Sequence, residues 1–196
     1  MTDTCYESDK GIEFTRRGVT QALVLCGCAL VAIKTGTVAR AEDGPSATLA
    51  AGDRFSLEPE NGAPIAIKAA DLKPGQAIMG VYPLDPASGA LRTESRFNAV
   101  NLVRLSGEPQ GDLSKTQGIA AFSAICTHKG CAITSWQADV NHWRCFCHMS
   151  EFDAAAKGER VDGPATEPLP IVPIAIDAEG FITATAGFSA PPGAQS

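Results

Sequence analysis

Cys126-Thr127-His128-Lys129-Gly130-Cys131 is followed by Cys145-Phe146-Cys147-His148-Met149-Ser150, with sixteen residues between His128 and Cys145. The first run pairs a thiol with an imidazole as Cys-x-His, the second as Cys-x-x-His. Each run carries one further cysteine. Thiolate sulfur and imidazole nitrogen are metal donors, and zinc takes both at variable spacing. From residue types alone, a zinc staple therefore stays open beside a redox centre. The third histidine, His142, falls between the two runs at no ligand position and reads as a solvent-facing or hydrogen-bonded loop residue.

Working outward, short apolar runs alternate with Gly, Pro and Asp turns, the pattern of an all-β domain. The runs predict strands at 65–68, 76–82, 98–105, 118–124, 133–136, 143–145, 171–176 and 181–185. The last two flank Asp177-Ala178-Glu179-Gly180, which reads as a hairpin turn. Trp136 and Trp143 are expected to pack beneath the two Cys/His runs. No amphipathic helix stands out, although residues 110–117 suit one turn. Residues 83–97, rich in Pro, Gly and Ser, read as a long excursion between strands.

The first 41 residues read as an export leader. Thr15-Arg16-Arg17-Gly18-Val19 is a twin-arginine signal. An apolar stretch follows at 19–33, and Ala39-Arg40-Ala41 offers an A-x-A cleavage site. Cleavage gives a periplasmic protein. The competing outcome is a retained inner-membrane anchor, for which the apolar stretch is short of the ~20 residues a spanning helix needs. Without residues 1–41 the chain keeps 11 Lys+Arg against 18 Asp+Glu, a net charge of −7. That balance argues against nucleic-acid binding, which requires a basic face. Acidic residues thicken at Glu151, Asp153, Glu159, Asp162 and Glu167, which suits steering of a basic electron acceptor.

At the two Cys/His runs, and over about residues 119–187, the chain resembles the Rieske iron–sulfur protein family. The resemblance implies one 2Fe-2S cluster, with Cys126 and Cys145 on one iron and His128 and His148 on the other. Two neutral imidazoles in place of two thiolates make the centre less negative. Its potential then lies at roughly −150 to +300 mV, against about −400 mV for plant-type ferredoxins. The resemblance also implies a Cys131–Cys147 disulfide between the ligand loops, which fits an oxidising compartment. Ser150 stands where the family places a hydroxyl that bonds a bridging sulfide. Phe152 stands where high-potential members carry a tyrosine, so a lower potential is expected. Met149 stands where many members have glycine. Gly163-Pro164-Ala165 resembles the proline loop that covers the cluster from a third side.

The implied fold is an all-β, Rieske-type antiparallel β-sandwich base, residues 42–121 and 158–196. Into it is inserted a small cluster-binding β subdomain, residues 122–157. Such a domain moves one electron and is not a catalyst on its own, so a larger redox subunit is expected. Cys147-His148-Met149-Ser150-Glu151-Phe152-Asp153 and the run Gly163 to Pro170 resemble the small subunit of arsenite oxidase. That resemblance implies electrons arriving from a molybdopterin subunit and leaving to a c-type cytochrome or blue copper protein. The alternative is a quinol-oxidising Rieske subunit working with a cytochrome b in a cytochrome bc complex. A ring-hydroxylating ferredoxin fits less well, because those proteins lack the extra cysteine pair. A zinc-stapled non-redox module is the remote alternative.

Overall fold

The computed structural model describes residues 49–194. The twin-arginine run, the apolar stretch and the cleavage site lie outside the described residues.

Two antiparallel sheets share the chain. The larger contains β1 (Arg54–Ser56), β2 (Ala77–Leu84), β3 (Val100–Arg104), β4 (Ile119–Ser123), β9 (Ile171–Val172), β10 (Ile174–Ile176) and β11 (Ile182–Ala184). Their order is β10-β11-β1-β2-β3-β4-β9. The smaller contains β5 (Ser135–Gln137), β6 (His142–Cys145), β7 (Ser150–Asp153) and β8 (Glu159–Asp162), in sequence order. A four-residue helical turn, Asp112–Lys115, is the one α-helix among the described residues. The small sheet thus runs to Asp162, past the expected boundary at 157.

The base bends because β2 serves two partners. Its first half pairs with β3 and its second half with β1, with a register break between Ile78 and Val81. Such breaks let a strand turn the corner between packed layers. At the break Gly80 adopts φ +70°, and its N–H donates to Asn101 Oδ1 at 2.9 Å. Asn101 is fully buried. Its Nδ2 donates to the Ile133 carbonyl at 2.9 Å, so one amide ties the bend to the entry of the small sheet.

Strand β3 is buried on both faces, with Val100, Leu102 and Val103 supplying its apolar contacts. Val100 and Leu102 face one core with Phe55, Val81, Ile119 and Ile182. Val103 faces a second core with Phe122, Trp143, Phe152, Leu169 and both thiols, Cys126 and Cys145. Trp136 and Trp143 lie directly opposite on β5 and β6, ring centroids 4.7 Å apart. Their expected place beneath the Cys/His loops is the observed one.

Residues 65–68 form no strand. They make one isolated bridge, Lys68 to Phe181, and Ile65 is 81% exposed. The apolar run there reflects single inward residues, chiefly Ile67. The 177–180 turn is a hairpin between β10 and β11, closed by Asp177.

The excursion at 83–97 is folded back on the base. Asp85 seeds a turn by accepting from Ala87 N–H and the Ser88 hydroxyl, contacts that hold its carboxyl below the usual range. Leu84 then bridges Leu91. Arg92 grips the buried carboxylate of Asp53 through Nε and Nη2, both at 3.1 Å. Asn98 donates to the Arg92 carbonyl at 3.1 Å. Removing the cation leaves a buried carboxylate with no counter-charge in contact and the Ala50 N–H as its donor at 2.8 Å. Arg92→Ala should therefore lower unfolding free energy by roughly 2–3 kcal/mol. Urea denaturation would check this, and a loss under 0.5 kcal/mol (about the noise of a surface change) would mean that Asp53 finds another donor.

Candidate metal centre

Two hairpin-like loops and a third segment meet at one end of the small sheet. Loop one leaves β4 and returns on itself. Gly130 N–H donates to the Cys126 carbonyl at 2.9 Å, and Cys126 N–H to the Cys131 carbonyl at 2.8 Å. Gly130 makes the turn at φ +71°. Loop two is the β6–β7 connection, where Cys145 pairs with Ser150 across the ladder. Met149 N–H donates to the Cys145 carbonyl at 2.9 Å. Met149 closes this loop at φ +62°, a left-handed conformation that glycine adopts without strain.

Strand geometry sends Cys145 inward and leaves the loop tip outside. Cys126 and Cys145 are free thiols, each 1% exposed. Phe146, Cys147, His148 and Met149 are exposed, and His128 is half-buried. The two imidazoles meet edge to face, centroids 4.6 Å apart at 87°. A disulfide joins Cys131 to Cys147 and locks one loop to the other. The sulfurs of Cys131, Cys145 and Cys147 lie within 4.8 Å of one another. Two of the three are spent in the disulfide, so this trio is not a metal site.

The remaining donors fit a thiolate/imidazole-bound metal group. Nδ1 of His128 is buried without a hydrogen-bond partner, an expensive state unless the lone pair is used. Burial, and then the neighbouring His148 and Lys129, hold this imidazole below its ordinary pKa, which keeps it neutral as ligation requires. Burial pushes the Cys126 thiol up to about 11, and Cys145 beside it acts in the same direction. The His128 backbone N–H and the Ser150 hydroxyl donate toward the Cys126 sulfur and oppose that rise. Apolar surroundings disfavour a bare thiolate here, and a bound cation offsets the penalty.

The third segment holds both loops. Gly163 packs so closely on loop two that a Cβ would lie 2.4 Å from Ser150 Cα and 2.6 Å from the Met149 carbonyl oxygen. Ala165 N–H donates to Ser150 Oγ at 3.2 Å. Pro164 between them is exposed. Thr127 Oγ1 donates to the Glu167 carbonyl at 2.8 Å, fixing loop one to the same segment. Thr127 and Gly163 thus carry positioning roles that their motifs alone did not disclose. Only their place between ligand-type residues, or before a proline, hinted at it.

Phe152 is fully buried on β7, opposite Trp143, in the core that contains both thiols. It brings no donor there. His142 is a strand residue of β6 rather than a loop residue, and its Nδ1 stands 3.5 Å from Glu151 Oε2. Arg144 also pairs with Glu151. The acidic patch is correspondingly smaller than the sequence suggests. Glu151 is ion-paired with Arg144, and Asp153 accepts from the Ala155 and Ala156 N–H groups. Glu159, Asp162 and Glu167 remain outward.

Comparison with known proteins brings in the Rieske [2Fe-2S] domain, whose family model matches residues 91–173. A cytochrome bc1 complex Rieske iron–sulfur subunit from Streptomyces lividans is 40% identical over 132 residues, 62% of this chain and 78% of that protein. The corresponding subunit of Corynebacterium diphtheriae is 38% identical over 104 residues, 49% of this chain and 26% of that protein. This chain therefore spans about a quarter of that relative's length. A putative respiratory nitrate reductase Rieske subunit from Haloferax mediterranei is 34% identical over 96 residues, 47% of this chain and 43% of that protein.

The Gly163 contact generates a test. Gly163→Ala drives a methyl into backbone, which no side-chain rotation relieves. The purified variant should retain less iron than wild type and melt at lower temperature. Full iron content with an unchanged melting temperature would mean that the third segment shifts freely.

Proposed function

The chain belongs to the Rieske [2Fe-2S] iron–sulfur protein family, and from that premise we propose that it is the one-electron carrier subunit of an exported oxidoreductase. Electron transfer through a Rieske-type 2Fe-2S cluster is the family's function, and it displaces the zinc-staple reading. In the proposed assembly a molybdopterin subunit supplies the electron, as in arsenite oxidase, and a c-type cytochrome or blue copper protein removes it. The twin-arginine leader and the Cys131–Cys147 disulfide both suit a periplasmic location.

The observation that carries the site assignment is the division of donors. Cys126 and Cys145 are buried free thiols, while the His128 and His148 imidazoles stand against each other at the tip. On this assignment Cys126 and Cys145 would hold one iron and His128 and His148 the other, with the unpartnered Nδ1 of His128 available as a donor. Bound there, the cluster supplies a reversible one-electron couple. The chain's own residues do the rest. Apolar packing by Trp143, Phe152 and Leu169 keeps water from the sulfurs. The Ser150 hydroxyl is oriented by the Ala165 N–H it accepts, which frees its proton to face sulfur. His148 reaches solvent, where a partner can approach it.

Support for the arsenite-oxidase-like assembly comes from the Cys147 to Asp153 and Gly163 to Pro170 runs and from Phe152 at the tyrosine position. A second reading has its own support. The Streptomyces and Corynebacterium relatives are subunits of cytochrome bc1 complexes, and by analogy His148 would bond a quinol. Native purification separates the two. A co-purifying soluble molybdopterin subunit supports the proposal, and a membrane-bound cytochrome b replaces it with the second reading.

Phe152→Tyr tests the tuning. Its hydroxyl would enter a fully buried position. If it bonds a cluster-ligating sulfur, the midpoint potential rises. An unchanged potential with a stability loss of about 1–3 kcal/mol would mean that the hydroxyl is buried without a partner.

A further inference from the structure

We infer that Arg96 is a positioning residue for loop one, and that its fixed positive charge raises the potential of the centre. Arg96 lies in the 83–97 segment, to which the ligand motifs assign no role. It opens a single 3-10 turn, Arg96–Asn98, whose N-cap Ser95 accepts from Phe97 N–H. From there the side chain crosses to a loop 34 residues away in sequence and donates from Nη1 to the Gly130 carbonyl at 2.6 Å. The guanidinium also lies over the Phe97 ring, 4.6 Å from its centroid.

Gly130 is shaped for this contact. A Cβ there would lie 3.3 Å from Arg96 Nη2, tighter than ordinary van der Waals contact. The glycine of Cys126-Thr127-His128-Lys129-Gly130-Cys131 therefore supplies the loop's φ of +71° and leaves room for the guanidinium. Gly130 N–H in turn bonds the Cys126 carbonyl. Arg96 thus acts on loop one through the residue that closes it.

The other end of the strut is anchored. Arg92 grips buried Asp53, and fully buried Asn98 ties back to the Arg92 carbonyl. Arg96 itself pairs with no carboxylate among the described residues. The guanidinium therefore stands out of ion-pair contact, held by the Gly130 carbonyl beside a loop that bears two of the proposed ligands. Net charge and hydrogen bonding around a cluster set its potential. A nearby fixed cation favours the reduced state, which carries one more negative charge.

The inference rests on the proposed ligand assignment, and the two fail separately. Loss of the Rieske spectrum in His128→Ala supports the assignment, and retention of it removes the assignment. Arg96 is read by midpoint potential in variants whose spectrum is intact. Arg96→Gln removes the charge and keeps an amide donor, whereas Arg96→Lys keeps the charge and loses the planar fork. The expected result is a lower potential in Arg96→Gln than in wild type, with Arg96→Lys restoring most of the difference. Wild-type potential in Arg96→Gln would overturn the inference, whatever happens to the melting temperature. An equal fall in both variants would overturn the charge role. Because Lys and Gln both fill the site, the comparison survives if Arg96→Ala fails to fold.

Discussion

The tip of this molecule depends on two cysteine side chains being buried in the core that joins its two sheets. Cys126 and Cys145 belong to one apolar cluster with Phe122 and Val103 from the base and Trp143 and Phe152 from the small sheet. Trp143 alone packs against Trp136 at a tilt of 53° and meets Phe122 edge on. Burying such aromatics contributes more than any single polar contact, at about 25 cal/mol per Å² of apolar surface. The same burial makes a free thiolate unfavourable, as the raised Cys126 pKa reflects. Metal binding and folding are therefore coupled through one set of contacts.

Two short loops cannot hold their shape by backbone hydrogen bonds alone. The Cys131–Cys147 disulfide joins residues at a sequence separation of 16, a constraint worth about 3 kcal/mol on the chain-entropy view. The third segment adds the Thr127 and Ser150 contacts. Over-determination of this kind lets Met149 stay at positive φ, a conformation that costs a non-glycine residue about 1–2 kcal/mol. The rigidity also bears on function. An electron carrier whose donors move little between redox states wastes little energy on rearrangement.

Much of this was legible in the sequence. Alternating apolar runs located β3, β4 and β6 because each places regular side chains in a core. Three strands escaped the pattern for physical reasons. Glu159-Arg160-Val161-Asp162 is exposed on both faces, so β8 has no apolar side to reveal. In β7 the inward residues are Ser150 and Phe152, a single large hydrophobe amid charge. In β1 three residues are too few for a period. The candidate thiol and imidazole donors stood out because metal chemistry restricts residue type. The grip of the 83–97 segment was not, since a salt bridge to Asp53 and a contact with Gly130 are long-range facts. No local pattern encodes them.

Surface chemistry follows from the same division. Around His148 the exposed neighbours are Phe146, 61% exposed, and Met149, 48% exposed. The nearest strand carboxylate, Glu151, is occupied by Arg144 and His142. The outward carboxylates Glu159, Asp162 and Glu167 lie on β8 and the segment after it. Long-range charge and short-range contact thus sit on different parts of the chain. Charge sets how often a partner arrives, an effect that salt screens within about 10 Å at 0.1 M. In the proposed assembly, apolar contact at the tip would set how long a partner stays, since burying carbon needs no desolvation of charge. If the carrier meets a donor and then releases to an acceptor, as proposed, weak apolar docking at the exposed imidazole would serve better than a buried ion pair. An interface built on desolvated charge would be slow to part.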